Sequence, residues 1–128
     1  MSGSERRGTF LSANGKDEIA YTVFTPKGAP RGILQIAHGM SEHFGRYRAF
    51  CGHMNEHGFL VCGNDHLGHG GSVKDASDLG YFGKQNGWSH MVDDLYHLNR
   101  IITKDYPDLP VFLLGHSMGS LLARVYVT

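Results

Sequence analysis

Ser117 is the residue of this sequence best suited to act as a nucleophile. It is the centre of a Gly-x-Ser-x-Gly pattern, Gly115 to Gly119, between the apolar run Val111 to Leu114 and the helix-forming run Leu121 to Arg124. A strand, a sharp turn and a helix in this order form a nucleophile elbow, which lifts the serine hydroxyl clear of the sheet edge. The flanking glycines are expected because side chains two positions from the serine would meet neighbouring backbone.

The chemistry that an elbow predicts is cleavage of an ester or amide through an acyl-serine. A serine hydroxyl is too weak a nucleophile to attack unaided, so it needs a histidine base and a carboxylate that orients the base. A plainer explanation of the pattern is a glycine-rich loop between a strand and a helix. A phosphate-binding loop is disfavoured because no Gly-Lys-Ser or Gly-Lys-Thr sequence follows.

Two further segments, each after an apolar run, give the elbow a family context. They are His38-Gly39-Met40-Ser41-Glu42-His43 and Asp65-His66-Leu67-Gly68-His69-Gly70-Gly71-Ser72. Together with Gly115 to Gly119, these segments resemble the α/β-hydrolase superfamily. Within it they are similar to the monoacylglycerol lipase and lysophospholipase branch, the serine aminopeptidase S33 grouping. The resemblance extends from about Gly15 to the last residue and covers only the N-terminal portion of such a domain.

The resemblance implies roles for several residues of the predicted site. The oxyanion hole of this fold takes one backbone N–H after the nucleophile and one from the loop after the third strand, which implies Met118 and Met40. The alternative is that both methionines only fill the core. The residues expected to form a wall of the site or to brace its loop are His38, Gly39, Glu42 and His116.

The catalytic triad is incomplete in this sequence. In the α/β-hydrolase fold the order is Ser, Asp or Glu, then His, yet none of the eleven residues after Ser117 is Asp, Glu or His. His116 is a poor substitute base because a side chain next to the serine in so tight a turn should point away from it. We therefore expect residues 1–128 to be the N-terminal part of one hydrolase domain, inactive by themselves, with the later strands, the cap and two triad members absent.

No cofactor or metal is implied by the resemblance. Asp65, His66 and His69 could form a metal site, but a His-x-x-His pair on a glycine-rich loop lacks the support of a helix. His53 and His57 have the spacing of a zinc-binding pair on a helix, although exposure to solvent near a helix end is the simpler expectation.

Composition limits the remaining classes of function. Twelve basic and twelve acidic side chains give a formal net charge of zero, so no electrostatic argument favours nucleic acid or an anionic membrane surface as a partner. The N-terminus is polar and no apolar run reaches membrane-spanning length. Cys51 and Cys62 lie among apolar residues and predict buried thiols in a reducing compartment. We expect a cytoplasmic protein without a transmembrane segment. Its expected partner is a small lipid or ester, and the missing cap could contact lipid peripherally.

Apolar periodicity predicts a sheet whose strands alternate with helices from Gly32 onward. The buried stripe of the longest helix is formed by Met91, Leu95, Leu98 and Ile102, and that of the shorter one by Tyr47, Phe50, Cys51 and Met54. We expect strands at Thr9 to Ser12, Glu18 to Thr25, Gly32 to Ala37, Phe59 to Asn64 and Val111 to Leu114, and helices at Arg46 to His57 and Ser89 to Tyr106. The fold class is α/β, a mainly parallel sheet with an N-terminal antiparallel hairpin, for which the resemblance implies the strand order 1-2-4-3-5.

The complete protein is accordingly expected to be a serine hydrolase of carboxylic esters, with monoacylglycerols or lysophospholipids as substrates. An esterase of small acyl substrates and an aminopeptidase are the alternatives within the enzyme class. A non-catalytic fragment or binding module that lacks the triad Asp and His is the alternative outside it.

Overall fold

The structure of the protein, a computed structural model, describes residues 4–39, 43–66, 87–116, 119, 122–123 and 126–127. These residues contain one five-stranded sheet with helices on both faces. The strands are β1 (Ser4–Leu11), β2 (Glu18–Thr25), β3 (Gly32–Ala37), β4 (Phe59–Asn64) and β5 (Val111–Gly115). Their order in the sheet is β1-β2-β4-β3-β5, the order that the resemblance implied.

The sheet has an antiparallel part and a parallel part. β1 pairs with β2 and β2 with β4 in antiparallel register, whereas β3 lies parallel to both β4 and β5. The parallel pairs need crossover connections. A 3₁₀ turn (Phe44–Tyr47) and α1 (Arg48–Glu56) connect β3 to β4, and α2 (Gly87–Asp105) precedes β5. The carboxyl ends of β3, β4 and β5 therefore meet at one edge of the sheet, which is where α/β folds place their sites.

Two apolar clusters hold the helices on the sheet. Met91, Leu95, Leu98 and Ile102 of α2 are buried against one face, as the predicted stripe required. On the other face Cys51 of α1 is buried, together with Phe44 of the 3₁₀ turn. The prediction for Phe50 was wrong, because that side chain is exposed.

The hairpin between β1 and β2 turns between the two predicted strands, at Asn14 and Gly15. Gly15 has a φ of 74°, and the side chain of Asn14 accepts hydrogen bonds from the N–H groups of Lys16 and Asp17. This local bonding is typical of asparagine in turns. β1 begins at Ser4, five residues before the predicted start at Thr9, because its polar first half is ordered by pairing with β2 and not by an apolar pattern.

A buried carboxylate ties α2 to this hairpin. Asp94 accepts hydrogen bonds from the hydroxyl of Ser12 at 2.8 Å and from the backbone N–H of Ala13 at 2.7 Å. Burial raises the pKa of Asp94 above its usual value of 3.8, although the two hydrogen bonds act in the opposite direction. The helix begins at Gly87, two residues before the predicted start at Ser89, so Asp94 lies in its second turn.

Close packing on the opposite face involves Gly63 of β4. A Cβ atom at position 63 would lie within 2.9 Å of three atoms of the Phe44 ring. Phe44 also packs against Phe24, with ring centroids 6.0 Å apart. The absence of a side chain at position 63 therefore makes room for the ring that anchors the 3₁₀ turn to the sheet.

The two cysteines are buried and unbonded, as predicted. Burial raises the pKa of each thiol to about 12, so neither is a reactive thiolate at neutral pH. Within the part of the chain that the structure describes, no helix combines the length and apolarity required to cross a membrane.

Candidate active site

The carboxyl ends of the three parallel strands bring together the described residues of the predicted site. β3 is followed by His38 and Gly39, β4 by Asp65 and His66, and β5 by His116. These ends are adjacent because β3 lies between β4 and β5 in the sheet.

Two backbone hydrogen bonds involve the described residues at and after the end of β5. The N–H of His116 donates to the carbonyl oxygen of Ala37 at 3.1 Å, which extends the pairing of β3 with β5 by one residue. The N–H of Gly119 then donates to the carbonyl oxygen of His116 at 2.9 Å, a bond that encloses positions 117 and 118. A bond between residues three apart closes a tight turn, as a nucleophile elbow requires.

Gly119 packs directly on the end of β3. A Cβ atom at this position would overlap the carbonyl oxygen of Ala37 and lie 2.5 Å from that of His38. Neighbouring backbone therefore excludes every side chain at position 119. This observation confirms the reason given from the sequence for a glycine two residues after the serine.

His38 is fully buried, and both of its ring nitrogens bond to backbone groups. Nδ1 lies 2.6 Å from the carbonyl oxygen of Gly39, and Nε2 accepts the backbone N–H of His66 at 3.0 Å. A carbonyl oxygen can only accept, so Nδ1 carries the proton and Nε2 carries the lone pair. One neutral tautomer of His38 satisfies both bonds.

His66 returns a hydrogen bond to the same residue. Its Nε2 lies 3.0 Å from the carbonyl oxygen of His38, so this nitrogen carries the proton. The two rings are 4.0 Å apart between centroids and His66 is fully buried. The His38 ring thus bonds to the backbone of His66, and the His66 ring bonds to the backbone of His38. These two hydrogen bonds join the ends of β3 and β4. Sequence reasoning missed this pair because nothing local indicates contact across 28 positions.

Asp65 holds the loop that returns from β3. Its Oδ1 accepts the N–H of Phe44 at 2.7 Å, at the start of the 3₁₀ turn. Asp65 therefore satisfies a backbone donor at the first residue of that turn. Arg48, in the first turn of α1, in turn bonds to Glu5 of β1.

The seven residues to which the sequence analysis assigned a role in the site are only partly described by the structure. Ser117, Met118, Met40 and Glu42 lie outside the described residues. Of those described, His38 and Gly39 bond to each other at the end of β3, and His116 follows β5 with an exposed side chain. The roles assigned to all seven residues remain predictions.

Among the described residues no group of three or more potential metal ligands comes together. Asp65 and His66 make the hydrogen bonds given above, and His69 lies outside the described residues. His53 lies on α1 and His57 directly follows the helix, where Nδ1 of His57 lies 3.0 Å from the carbonyl oxygen of His53 and so donates to it.

A groove of about 620 Å³ lies on the α1 side of β1 and β2. Arg7, Thr22, His43 and Asp65 are among its lining residues, which do not include Gly39 or His116.

The chain matches the family model described as "Serine aminopeptidase, S33" over residues 28–128. It is 36% identical over 126 residues to a monoacylglycerol lipase of Mycolicibacterium smegmatis, with 98% of this chain and 43% of that protein covered. It is 40% identical over 101 residues to the monoglyceride lipase of Homo sapiens, with 77% of this chain and 30% of that protein covered.

Solved structures share both the fold and the sequence likeness. A thermostable carboxyl esterase from Bacillus coagulans, crystallised with glycerol, superposes with a TM-score of 0.89 at 42% identity. The superposition covers 98% of this chain and 40% of the esterase. The chain therefore spans less than half the length of each of these three proteins.

Proposed function

This chain belongs to the serine aminopeptidase S33 family of α/β-hydrolases, and we propose that it is the N-terminal part of an enzyme that hydrolyses carboxylic esters through an acyl-serine on Ser117. The observation that carries the proposal is the turn after β5, which is closed by the Gly119 to His116 hydrogen bond and seated on Ala37. The two described residues that flank it, His116 and Gly119, lie at the edge where β3 and β5 end, and α/β sheets bind ligands at such edges, which supports the choice of Ser117.

Monoacylglycerols are the substrates we favour, with lysophospholipids next. Relatives that cover 77–98% of this chain are named as monoacylglycerol or monoglyceride lipases. An esterase of small acyl substrates is supported by the likeness to the carboxyl esterase, and an aminopeptidase by the name of the family. Peripheral contact of a cap with lipid belongs to the same proposal.

The general base and its carboxylate are proposed to lie beyond residue 128. No Asp, Glu or His follows Ser117 in the chain. His38 does not suit the role of base, because the lone pair of its Nε2 accepts a backbone N–H and its ring is fully buried. Residues 1–128 alone are thus expected to be inactive, and the non-catalytic alternative applies to that fragment.

A fluorophosphonate probe, which labels activated serines, tests the nucleophile. We expect labelling of the complete reading frame that contains this chain, no labelling of residues 1–128 alone, and none of the Ser117→Ala variant. Ser89→Ala, a serine substitution on α2, is the matched control and should label like the parent. Labelling that survives Ser117→Ala would remove Ser117 from the mechanism.

Initial rates on four substrates separate the candidate activities. We would compare a long-chain monoacylglycerol, a lysophospholipid, a short-chain nitrophenyl ester and an aminoacyl anilide. The proposal expects the monoacylglycerol to have the highest kcat/KM. Preference for the anilide would assign the protein to the aminopeptidases.

A further inference from the structure

We propose that His38 and His66 are positioning residues that set the orientation of the Gly39 peptide group at the candidate oxyanion hole. The inference rests on the proposed function for the role of that hole. The pair itself stands on the hydrogen bonds of the described residues.

The first step of the argument is the tautomer of His38. Its Nε2 accepts the N–H of His66, which leaves Nδ1 as the only ring nitrogen that carries a proton. That proton is donated to the carbonyl oxygen of Gly39 across 2.6 Å. The bond from His66 therefore determines which bond His38 makes to Gly39.

The second step is the geometry of the peptide bond. Peptide bonds are planar and almost always trans, so the carbonyl oxygen and the N–H of one peptide unit point in opposite directions. A donor that holds the Gly39 oxygen toward the buried His38 ring turns the N–H of the same unit away from it. That N–H belongs to Met40, the residue proposed from the sequence as a donor to the oxyanion.

The third step is the rigidity of the pair. His66 donates from Nε2 to the carbonyl oxygen of His38, so the backbone of His38 is held as well as its ring. Both side chains are fully buried, and their rings lie 4.0 Å apart. An oxyanion hole works because its donors are fixed before charge develops, and this pair supplies such fixation from the end of β4.

Two substitutions separate the two functions of the His38 ring. The amide nitrogen of His38→Asn reaches about as far as Nδ1 and can still donate to Gly39. The amide oxygen of His38→Gln reaches about as far as Nε2 and can accept from His66, but this variant has no donor for Gly39. At the other residue, His66→Gln keeps a donor near Nε2 and His66→Leu has none.

The first readout does not depend on activity. In ¹⁵N-histidine-labelled protein, ring couplings should show the proton of His38 on Nδ1 and that of His66 on Nε2. In ¹⁵N-methionine-labelled protein, the amide signal of Met40 should move in His38→Gln and stay close to the parental position in His38→Asn. A proton on Nε2 of His38, or equal displacement of the Met40 signal in both variants, would overturn the inference.

The second readout is the rate at which the complete enzyme acylates Ser117. Loss of one oxyanion-hole donor lowers kcat by about 10²–10³-fold, and we expect His38→Gln and His66→Leu to approach that loss with little change in KM. His38→Asn should retain at least about tenfold more activity than His38→Gln, and His66→Gln at least about tenfold more than His66→Leu. Equal losses within each pair in folded protein contradict a positioning role.

The two proposals can fail separately. If the parental enzyme never reacts with the probe, the proposed function falls, whereas the tautomers and the Met40 signal still decide whether the pair orients the peptide. If the enzyme reacts and the tautomers are wrong, only the inference about the pair falls.

Discussion

Gly119 lies so close to Ala37 that a Cβ atom on Gly119 would overlap the Ala37 carbonyl oxygen. The same oxygen accepts the N–H of His116, so the turn after β5 and the strand beside it share one backbone group. A side chain at position 119 would therefore press on a backbone group that already takes part in the pairing of β3 with β5.

Gly119→Ala should therefore be strongly destabilising although it adds a single methyl group. Overpacking costs about 1–3 kcal/mol and more where backbone cannot yield. Denaturant unfolding should show that loss, and probe labelling in the complete enzyme should fall with it. Gly52→Ala is the matched control, because nothing lies within 4 Å of a Cβ there and alanine in a helix is favoured by about 0.5–1 kcal/mol. Equal effects of the two substitutions would contradict the packing described for Gly119.

Replacement of Asp94 should distinguish its hydrogen bonds from its charge. Asp94→Ala leaves the Ala13 N–H and the Ser12 hydroxyl without their acceptor, at a cost of about 1–3 kcal/mol for each buried group. Asp94→Asn keeps an acceptor for Ala13 and can donate to Ser12, so its free energy of unfolding at pH 7 should equal or exceed that of the parent. A loss as large as that of the alanine variant would show that the charge is needed.

The raised pKa of Asp94 also predicts a pH dependence. The folded state binds this proton more tightly than the unfolded state, so the resulting stabilisation is complete below the usual pKa of 3.8 and is lost as the pH rises through the folded pKa. The free energy of unfolding of the parent should therefore fall relative to that of Asp94→Asn as the pH increases from 4. A difference that is flat with pH would contradict the raised pKa.

Glu5 predicts the opposite dependence. Hydrogen bonds from Arg48, and then from Arg7, lower the pKa of Glu5 from 4.5 to about 2. Its stabilising contribution is therefore present above pH 4.5 and is lost as the pH falls through about 2. Unfolding curves of the parent should converge on those of Glu5→Gln in this acid range. Glu56→Gln, at an exposed carboxylate of α1, is the control, and 1 M salt should reduce the effect because the ion pairs are at the surface.

The exposed side of β5 should make residues 1–128 associate. Within the described part of the sheet β5 is an edge strand, and Phe112 and Leu114 are 53% and 39% exposed. Apolar edge strands pair with other chains, and lysine on the edge opposes that pairing. Leu114→Lys should lower the average mass measured by sedimentation, whereas Leu11→Lys, at an exposed leucine of β1, should leave it unchanged. A monodisperse parental monomer would contradict this expectation.

The elements that the sequence predicted well are those whose pattern is local. β3 and β4 have the predicted bounds, and the Met91 to Ile102 stripe is buried, because apolar runs and a period of 3.6 residues are properties of short segments. The first half of β1 was missed because pairing with β2 orders it. The hydrogen bonds of Asp94 were missed because they join α2 to Ser12 and Ala13, which are distant in the sequence.

The same distinction applies to the candidate site. The glycine at position 119 could be explained in advance, because an elbow places it against backbone that every such fold provides. The bond pattern between His38 and His66 could not, because a histidine after a strand has the same local sequence whether it is a base, a metal ligand or a structural residue. Only the partners of its two ring nitrogens distinguish these roles.

The contact between Gly63 and the Phe44 ring has a consequence for how this sequence can evolve. Any larger residue at position 63 must be preceded or accompanied by a smaller one at position 44, since the two compete for one volume. In a deep mutational library the pair should show sign epistasis: Gly63→Ala harmful in the parent and tolerated when Phe44 is leucine. A larger residue at position 63 of β4 could therefore become established only together with a smaller residue at position 44 of the 3₁₀ turn. Such a double change would appear as covariation of two positions nineteen residues apart.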